Sequence, residues 1–338
     1  MSIIFDGFFE LMENKILKIG VFTSGGDAPG MNAAIRAVVR ACSYYKKESY
    51  GIMRGYEGMI EGDIVKLGPR SVGNIIQRGG TILKSARSQE FRTPEGRKRA
   101  YDNLKKEGID ALVAIGGDGT FTGLHKFYQE YNIPSICIPG TIDNDIAGTD
   151  YTIGYDTATN TAVEAIDRIR DTAMSHSRLF FIEVMGRNSG YIAMNSAIAG
   201  GASAVIIPED SMTFEDFYKL LGAGEKTNRK SNLVVVAEGS KIGDAESLAK
   251  LVAARSSYYD IKVTVLGHLQ RGGSPTYFDR VLAARMGVAA VEGLLAGKND
   301  SMVGVKDNKM VYNLFDSVMT KHHDIDSEFL RIAKILSV

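Results

Sequence analysis

The sequence is poor in cysteine and proline and carries no surplus of either charge. Its two cysteines, Cys42 and Cys137, have no metal-like spacing and lie among apolar residues. A disulfide framework is therefore excluded, and both read as buried thiols in a reducing compartment. Proline numbers only 7, which excludes the Pro-rich linkers of disordered chains. Lysine plus arginine and aspartate plus glutamate each total 40, for a net charge of +0. No global field draws nucleic acid or an anionic membrane, so an anionic ligand has to be met by local cations. Long apolar runs are missing too. The longest charge-free stretch, Asn188 to Pro208, is broken by Asn195, Ser196, Ser203 and the pair Gly200-Gly201. It reads as a buried helix, a glycine break and a strand, not a membrane span. The first residues carry Asp6, Glu10 and Glu13 and no basic cluster, unlike a secretory signal. A cytoplasmic protein with no membrane or nucleic-acid partner is expected.

A length of 338 residues predicts roughly two domains. Hydrophobic residues at 44% and charged residues at 24% are those of an ordinary globular chain. Short β-branched runs alternate with helical patterns: Ile16 to Thr23 then Met31 to Ser43, Ala111 to Ile115 then Phe121 to Tyr131, and Ile133 to Ile138 before a loop. A helix from about Thr157 to Thr172 follows, with strands at Leu179–Val184, Ala204–Ile207, Leu233–Ala237 and Lys262–Leu266. This alternation predicts βαβ units, parallel sheets and an α/β fold. In the first helix Ile35, Val38, Val39 and Cys42 recur at helical spacing as a buried stripe, while Arg36 and Arg40 share another face. Glycine is in excess, at 37 residues. Its clusters fall at the carboxyl ends of strands, where ligands of open parallel sheets gather.

Five such clusters carry chemistry. Thr23-Ser24-Gly25-Gly26-Asp27-Ala28-Pro29-Gly30 joins the first strand to the first helix, so its amides form an anion site or, at the least, a tight turn. Gly116-Gly117-Asp118-Gly119-Thr120 repeats that setting with a carboxylate able to hold Mg2+ against phosphate. It resembles the GGDGT of NAD kinases and diacylglycerol-type lipid kinases, which points to a phosphoryl donor without naming an acceptor. Pro139-Gly140-Thr141-Ile142-Asp143-Asn144-Asp145 sets two carboxylates at a strand end, either as a general base or as an Asx-turn. Met185-Gly186-Arg187 and His268-Leu269-Gln270-Arg271-Gly272-Gly273 place cations beside glycine, suited to clamping a phosphoryl group. His268 alone would more often be a core histidine. Glu238, in Ala237-Glu238-Gly239, suits sugar hydroxyls or a plain surface.

In this one order, TSGGDAPGMNAAIR, IGGDGT, PGTIDND, EVMGR and VTVLGHLQRGGSP resemble the bacterial-type 6-phosphofructokinase family, from about Lys15 to the C-terminus. The resemblance implies two doubly wound α/β domains with mainly parallel sheets facing a central cleft. An ATP-binding domain would take residues 15–153 plus 269–318 and a fructose 6-phosphate-binding domain residues 154–268 plus 319–338, after an extension of residues 1–14. It implies a homotetramer whose substrate sites are shared between subunits. The implied reaction moves the γ-phosphoryl of ATP to O1 of fructose 6-phosphate. Gly26, Arg87, Gly117, Asp118, Gly119 and Thr120 would bind ATP, with Asp118 on Mg2+. Asp143 would be the base for the sugar 1-hydroxyl, Thr141 would place the phosphoryl group and Arg187 would stabilise its charge. Met185, Gly186 and Glu238 match sugar contacts, and His268 and Arg271 match 6-phosphate ligands, with Arg178 reaching into a neighbour's site. Gly119 and Gly140 match the ATP-using branch; pyrophosphate-using relatives carry Asp and Lys there. A pyrophosphate-dependent enzyme and a catalytically silent, effector-binding subunit are the alternatives.

Four positions depart from the family pattern. Lys262 replaces a family arginine that serves the 6-phosphate across the subunit boundary, keeping the charge without the planar fork. The family's allosteric pocket is matched by Arg36, Arg40 and Arg170, with Arg229 near enough in sequence to contribute. Pro69, Ser203 and Thr227 stand where familiar members carry Arg, Glu and Lys, so control by ADP and phosphoenolpyruvate is expected to be weak or altered.

Overall fold

The computed structural model describes residues 16–174, 178–226, 232–319 and 325–336. The expectations for residues 1–14, Thr227 and Arg229 lie outside the described residues. The chain forms two compact units, one of Met1–Thr141, Ile146–Ile153 and Tyr277–Lys321, the other of Ile142–Asp145, Gly154–Thr276 and His322–Val338.

The first unit opens with β1 (Lys18–Thr23), α1 (Met31–Tyr44), β2 (Glu48–Ile52), α2 (Tyr56–Glu61), β3 (Ile64–Leu67), α3 (Pro94–Glu107), β4 (Ala111–Gly116), α4 (Asp118–Tyr131) and β5 (Ser135–Thr141). A two-residue β6 (Ile153–Gly154) pairs with β5. The second unit holds α5 (Tyr155–Met174), β7 (Arg178–Val184), α6 (Tyr191–Ala199), β8 (Ala204–Ile206), α7 (Phe214–Lys226), β9 (Asn232–Ala237), α8 (Ala245–Arg255) and β10 (Asp260–Val265). The chain then returns to the first unit with α9 (Tyr277–Leu295), β11 (Ser301–Lys306), β12 (Lys309–Leu314) and α10 (Phe315–Val318); α11 (Ser327–Leu336) belongs to the second.

The first sheet runs β12-β11-β5-β4-β1-β2-β3. Along this path the interior pairs are parallel, and the outer pairs β2–β3 and β11–β12 are antiparallel. One face carries Phe22, Leu112, Ala114 and Cys137, packed on Tyr56, Met59, Leu104, Phe121 and Phe127. The helices α1 and α9 approach so closely that a Cβ on Gly287 would stand 2.6 Å from the Ala37 Cβ and 3.0 Å from the Ala34 carbonyl oxygen. The second sheet, β10-β7-β9-β8, is parallel throughout. Leu179, Phe181, Val234 and Val236 pack on Phe217 and Leu221 of α7 and on Leu248 and Val252 of α8. Both cysteines are free and buried; burial pushes the Cys42 thiol up to about 12 and the Cys137 thiol well above its ordinary value, which leaves them inert.

Two details of the sequence reading change. The Asp118-Gly119-Thr120 stretch, expected as a loop ahead of a helix at Phe121, is the first turn of α4, with Gly117 as an extended N-cap (φ −107°, ψ −163°). An aspartate at the first helical position suits the dipole. Residues 142–145 and 269–276, expected in the ATP-binding domain, cluster with the second unit, where the short 3-10 turn Gly267–Arg271 packs on α5. Among the described residues, no helix is long and apolar enough to cross a membrane.

Candidate active site

In the first sheet the chain reverses its winding between β1 and β4, so the turns that leave these neighbouring strands lie side by side. The Ser24 amide donates to the Ile115 carbonyl at 3.0 Å, and the Thr120 hydroxyl donates to the Ser24 carbonyl at 3.3 Å. A Cβ on Gly116 would stand 2.5 Å from that Ser24 oxygen, so only glycine lets the turns close. The buried Tyr56 hydroxyl donates to the Thr120 carbonyl at 2.5 Å, a support that sequence reading passes over.

The remaining nucleotide candidates converge on this cradle. Thr23 Oγ1 donates to the Lys84 carbonyl at 2.7 Å and Ser85 Oγ to the Gly25 carbonyl at 2.5 Å, drawing the segment that bears Arg87 toward the Gly25-Gly26 turn. A Cβ on Gly117 would meet the Thr141 Cβ at 3.8 Å, so Thr141 borders the cradle. Gly26, Arg87, Asp118 and Gly119 are exposed. The N-terminal end of α4, at the positive end of the helix dipole, favours an anion there. The exposed Asp118 carboxylate beside them fits Mg2+, which is usually held by one or two carboxylates together with substrate phosphates.

The second constellation forms at the carboxyl ends of β7, β9 and β10, within the second unit. The Glu238 amide donates to the Val184 carbonyl and the Leu266 amide to the Glu183 carbonyl, each at 3.0 Å, which aligns the three exits. Glu238 Oε1 accepts from the Arg187 amide at 2.6 Å and from the Gly186 amide at 3.3 Å. Arg187 takes a left-handed backbone, φ +55°. A Cβ on Gly239 would stand 1.9 Å from the Arg187 carbonyl oxygen, so glycine there lets the Arg187 turn lie against the end of β9. Glu238, read as a sugar contact, thus also holds the arginine's turn.

Asp143 is the buried acid of this group, 7% exposed. Burial first, then the neighbouring Asp145, push its carboxyl up to about 6, against the lowering influence of Arg271 and Arg187. The next residue, Asn144, is also left-handed at φ +53°, the kind of backbone strain found at functional sites. Met185 is half-buried, Gly186 buried and His268 exposed. His268 and Arg271 share the Gly267–Arg271 turn.

Arg178 and Lys262 lie elsewhere. Arg178 is the first residue of β7 and Lys262 the third of β10. The length of β7 separates Arg178 from the Arg187 turn by roughly 20 Å at ~3.3 Å per residue. Of the allosteric candidates, Arg36 and Arg40 lie on α1 in the first unit and Arg170 on α5 in the second. Arg170 Nη2 is buried without a hydrogen bond, beside Gly201, whose Cβ would meet it at 3.4 Å.

A phosphofructokinase family model matches residues 18–294. The chain belongs to the phosphofructokinase family. It is 55% identical over 320 residues to the ATP-dependent 6-phosphofructokinase of Cytophaga hutchinsonii, covering 95% of this chain and 98% of that protein. Over 323 residues it is 54% identical to the ATP-dependent 6-phosphofructokinase 1 of Thermus thermophilus, covering 95% of this chain and 99% of that protein. Among solved structures, phosphofructokinase from Saccharomyces cerevisiae matches with a TM-score of 0.87 and 33% identity, over 94% of this chain and 50% of that one. The phosphofructokinase-like α/β fold expected from the motifs is the fold observed.

Proposed function

We propose that this phosphofructokinase transfers the γ-phosphoryl of ATP to O1 of fructose 6-phosphate, releasing fructose 1,6-bisphosphate and ADP. Asp143 carries the reading. A buried carboxyl poised near 6, under the influence of Arg187 and Arg271, is mostly ionised at neutral pH yet basic enough to draw a proton from a hydroxyl. Asp143 takes that proton as O1 attacks, and Arg187 neutralises charge spread over the transferring phosphoryl oxygens.

Gly26, Arg87, Gly117, Gly119 and Thr120 hold the nucleotide, and Thr141 places its terminal phosphoryl group. Asp118 holds Mg2+, which when bound neutralises the phosphates. On the sugar, Met185, Gly186 and Glu238 line the ring and chain, and His268 and Arg271 take the 6-phosphate. Arg178 and Lys262 serve the 6-phosphate of a neighbouring subunit in a homotetramer; their distance from Arg187 along β7 supports that division. The enzyme works in the cytoplasm, and Pro69, Ser203 and Thr227 leave control by ADP and phosphoenolpyruvate weak or altered.

The donor is ATP. Gly140 supplies no lysine charge for pyrophosphate, and a Cβ there would crowd the Ile115 and Met31 side chains at 2.9 and 3.3 Å. The deciding experiment measures turnover of fructose 6-phosphate with ATP and with pyrophosphate in parallel. Turnover with ATP alone is expected; comparable rates with pyrophosphate would refute the assignment.

A further inference from the structure

Ser189 ties together the two segments that bear the proposed base and the proposed charge stabiliser. It is 3% exposed. Its amide donates to the Gly186 carbonyl at 2.8 Å, closing the turn that presents Arg187. Its hydroxyl donates to the Asp143 carbonyl at 2.8 Å, in a buried hydrogen bond. The same oxygen accepts from the Tyr191 amide at 3.4 Å, which fixes the hydroxyl over the start of α6. A Cβ on Gly186 would stand 2.3 Å from the Ser189 carbonyl oxygen, so the turn is wound tightly against this residue.

We propose that Ser189 is a positioning residue, whose hydroxyl sets the placement of Asp143 relative to Arg187. The inference rests on the reading of these two residues as base and charge stabiliser. Glu238 grips the Arg187 turn from β9 through two amides, and the Ser189 hydroxyl bonds that turn to the Asp143 backbone. Both segments hold a non-glycine residue in left-handed conformation, Asn144 and Arg187, and such backbones persist only where the surroundings fix them. A general base works only within hydrogen-bond reach of its proton, and displacement by about 1 Å can cost up to ~10²-fold.

The test uses the full-length enzyme and steady-state kinetics. Ser189→Ala should lower kcat by about three- to thirtyfold, the range of one lost hydrogen bond plus a small displacement. KM for ATP should not change. In an Asp143→Asn background the same change should cost less than about twofold, because coupling between neighbours makes losses sub-additive. A general loss of folded enzyme would instead multiply. Ser189→Cys keeps a weaker donor of similar size and should fall between the serine and alanine enzymes, which also keeps the test usable if the alanine variant folds poorly. Unchanged kcat in both variants, or multiplying losses in the double variant, would overturn the proposal. Near-normal turnover of Asp143→Asn alone would overturn the underlying assignment of the base, and that single variant tells the two failures apart.

Discussion

Asp260 stands opposite Arg178 in the β10–β7 ladder and accepts a hydrogen bond from its Nε at 2.9 Å. The other oxygen of the same carboxylate lies 2.7 Å from Lys262 Nζ. Lys262 first and Arg178 second hold Asp260 below the usual carboxylate range. One exposed anion therefore occupies both cations assigned to a phosphate.

Lys262→Ala should raise KM for fructose 6-phosphate and leave KM for ATP unchanged. Asp260→Asn should do the opposite to the sugar-phosphate constant, because it removes the anion that competes with the 6-phosphate. Both effects should shrink as ionic strength rises, since the groups are exposed. An unchanged sugar-phosphate KM in the lysine variant would assign the charge to another residue.

Asp143→Asn should lower kcat by about 10²–10⁴, the usual contribution of a positioned acid–base group, while both substrates still bind. It should also stabilise the fold at neutral pH. Folding raises this carboxyl from 3.8 to about 6, so the folded state binds the proton more tightly. Stability is then fullest below pH 4 and falls as pH rises through about 6. The amide variant escapes that cost, on the order of 3 kcal/mol near pH 8. Melting curves of the two proteins should converge as the pH is lowered toward 4. In the unmodified enzyme kcat/KM should rise with pH through about 6, and Arg271→Ala should move that limb upward.

Gly119→Asp should fold normally, since a Cβ at this exposed position meets no atom within 4 Å and an acid suits the first turn of a helix. Its carboxylate repels the nucleotide phosphates, so kcat/KM for ATP should drop with little change in melting temperature. Gly140→Lys should behave differently, losing stability through its contacts with Ile115 and Met31. Equal melting temperatures for the two variants would contradict this account.

Arg97 should be the costliest charge to delete in the first unit. It is 2% exposed, pairs with both oxygens of Glu130 at 2.6 and 2.7 Å, and donates to the Phe91 and Arg92 carbonyls at 3.0 and 2.8 Å. Arg97→Ala leaves these acceptors unpaired, a loss on the order of 3 kcal/mol in urea unfolding. Arg97→Lys should recover only part of it, because an ammonium cannot match the bidentate fork.

The same arginine explains where sequence reading stops. The stripe Ile35, Val38, Val39 and Cys42 makes α1 legible, and β-branched runs disclose β1, β4, β7 and β9. The inward face of α3 is Gly96, Arg97, Ala100 and Leu104, an apolar stripe interrupted by a charge whose partner, Glu130, lies on α4. Nothing in the local pattern announces it. The edge strand β3 is as obscure, with Val65 and Lys66 exposed. In the site, residues that bring charge or a glycine turn are readable, because their chemistry demands those types. Ser189 and Tyr56 are not, since each acts through one hydroxyl on a backbone carbonyl that only the folded chain brings near.

The return of the chain from the second unit to the first sets an order on synthesis. β5 ends at Thr141, and its partner β11 begins at Ser301. At translation rates of ~5–20 residues per second, that edge of β5 waits on the order of ten to thirty seconds for its neighbour. Over most of that interval α1 also lacks α9, the helix whose Gly287 seats against Ala37. A growing chain therefore carries an open sheet edge in its N-terminal half until β11 is made. Such an edge is a template for pairing with other chains, which makes this stretch of translation the point where chaperone binding or aggregation competes most directly with folding.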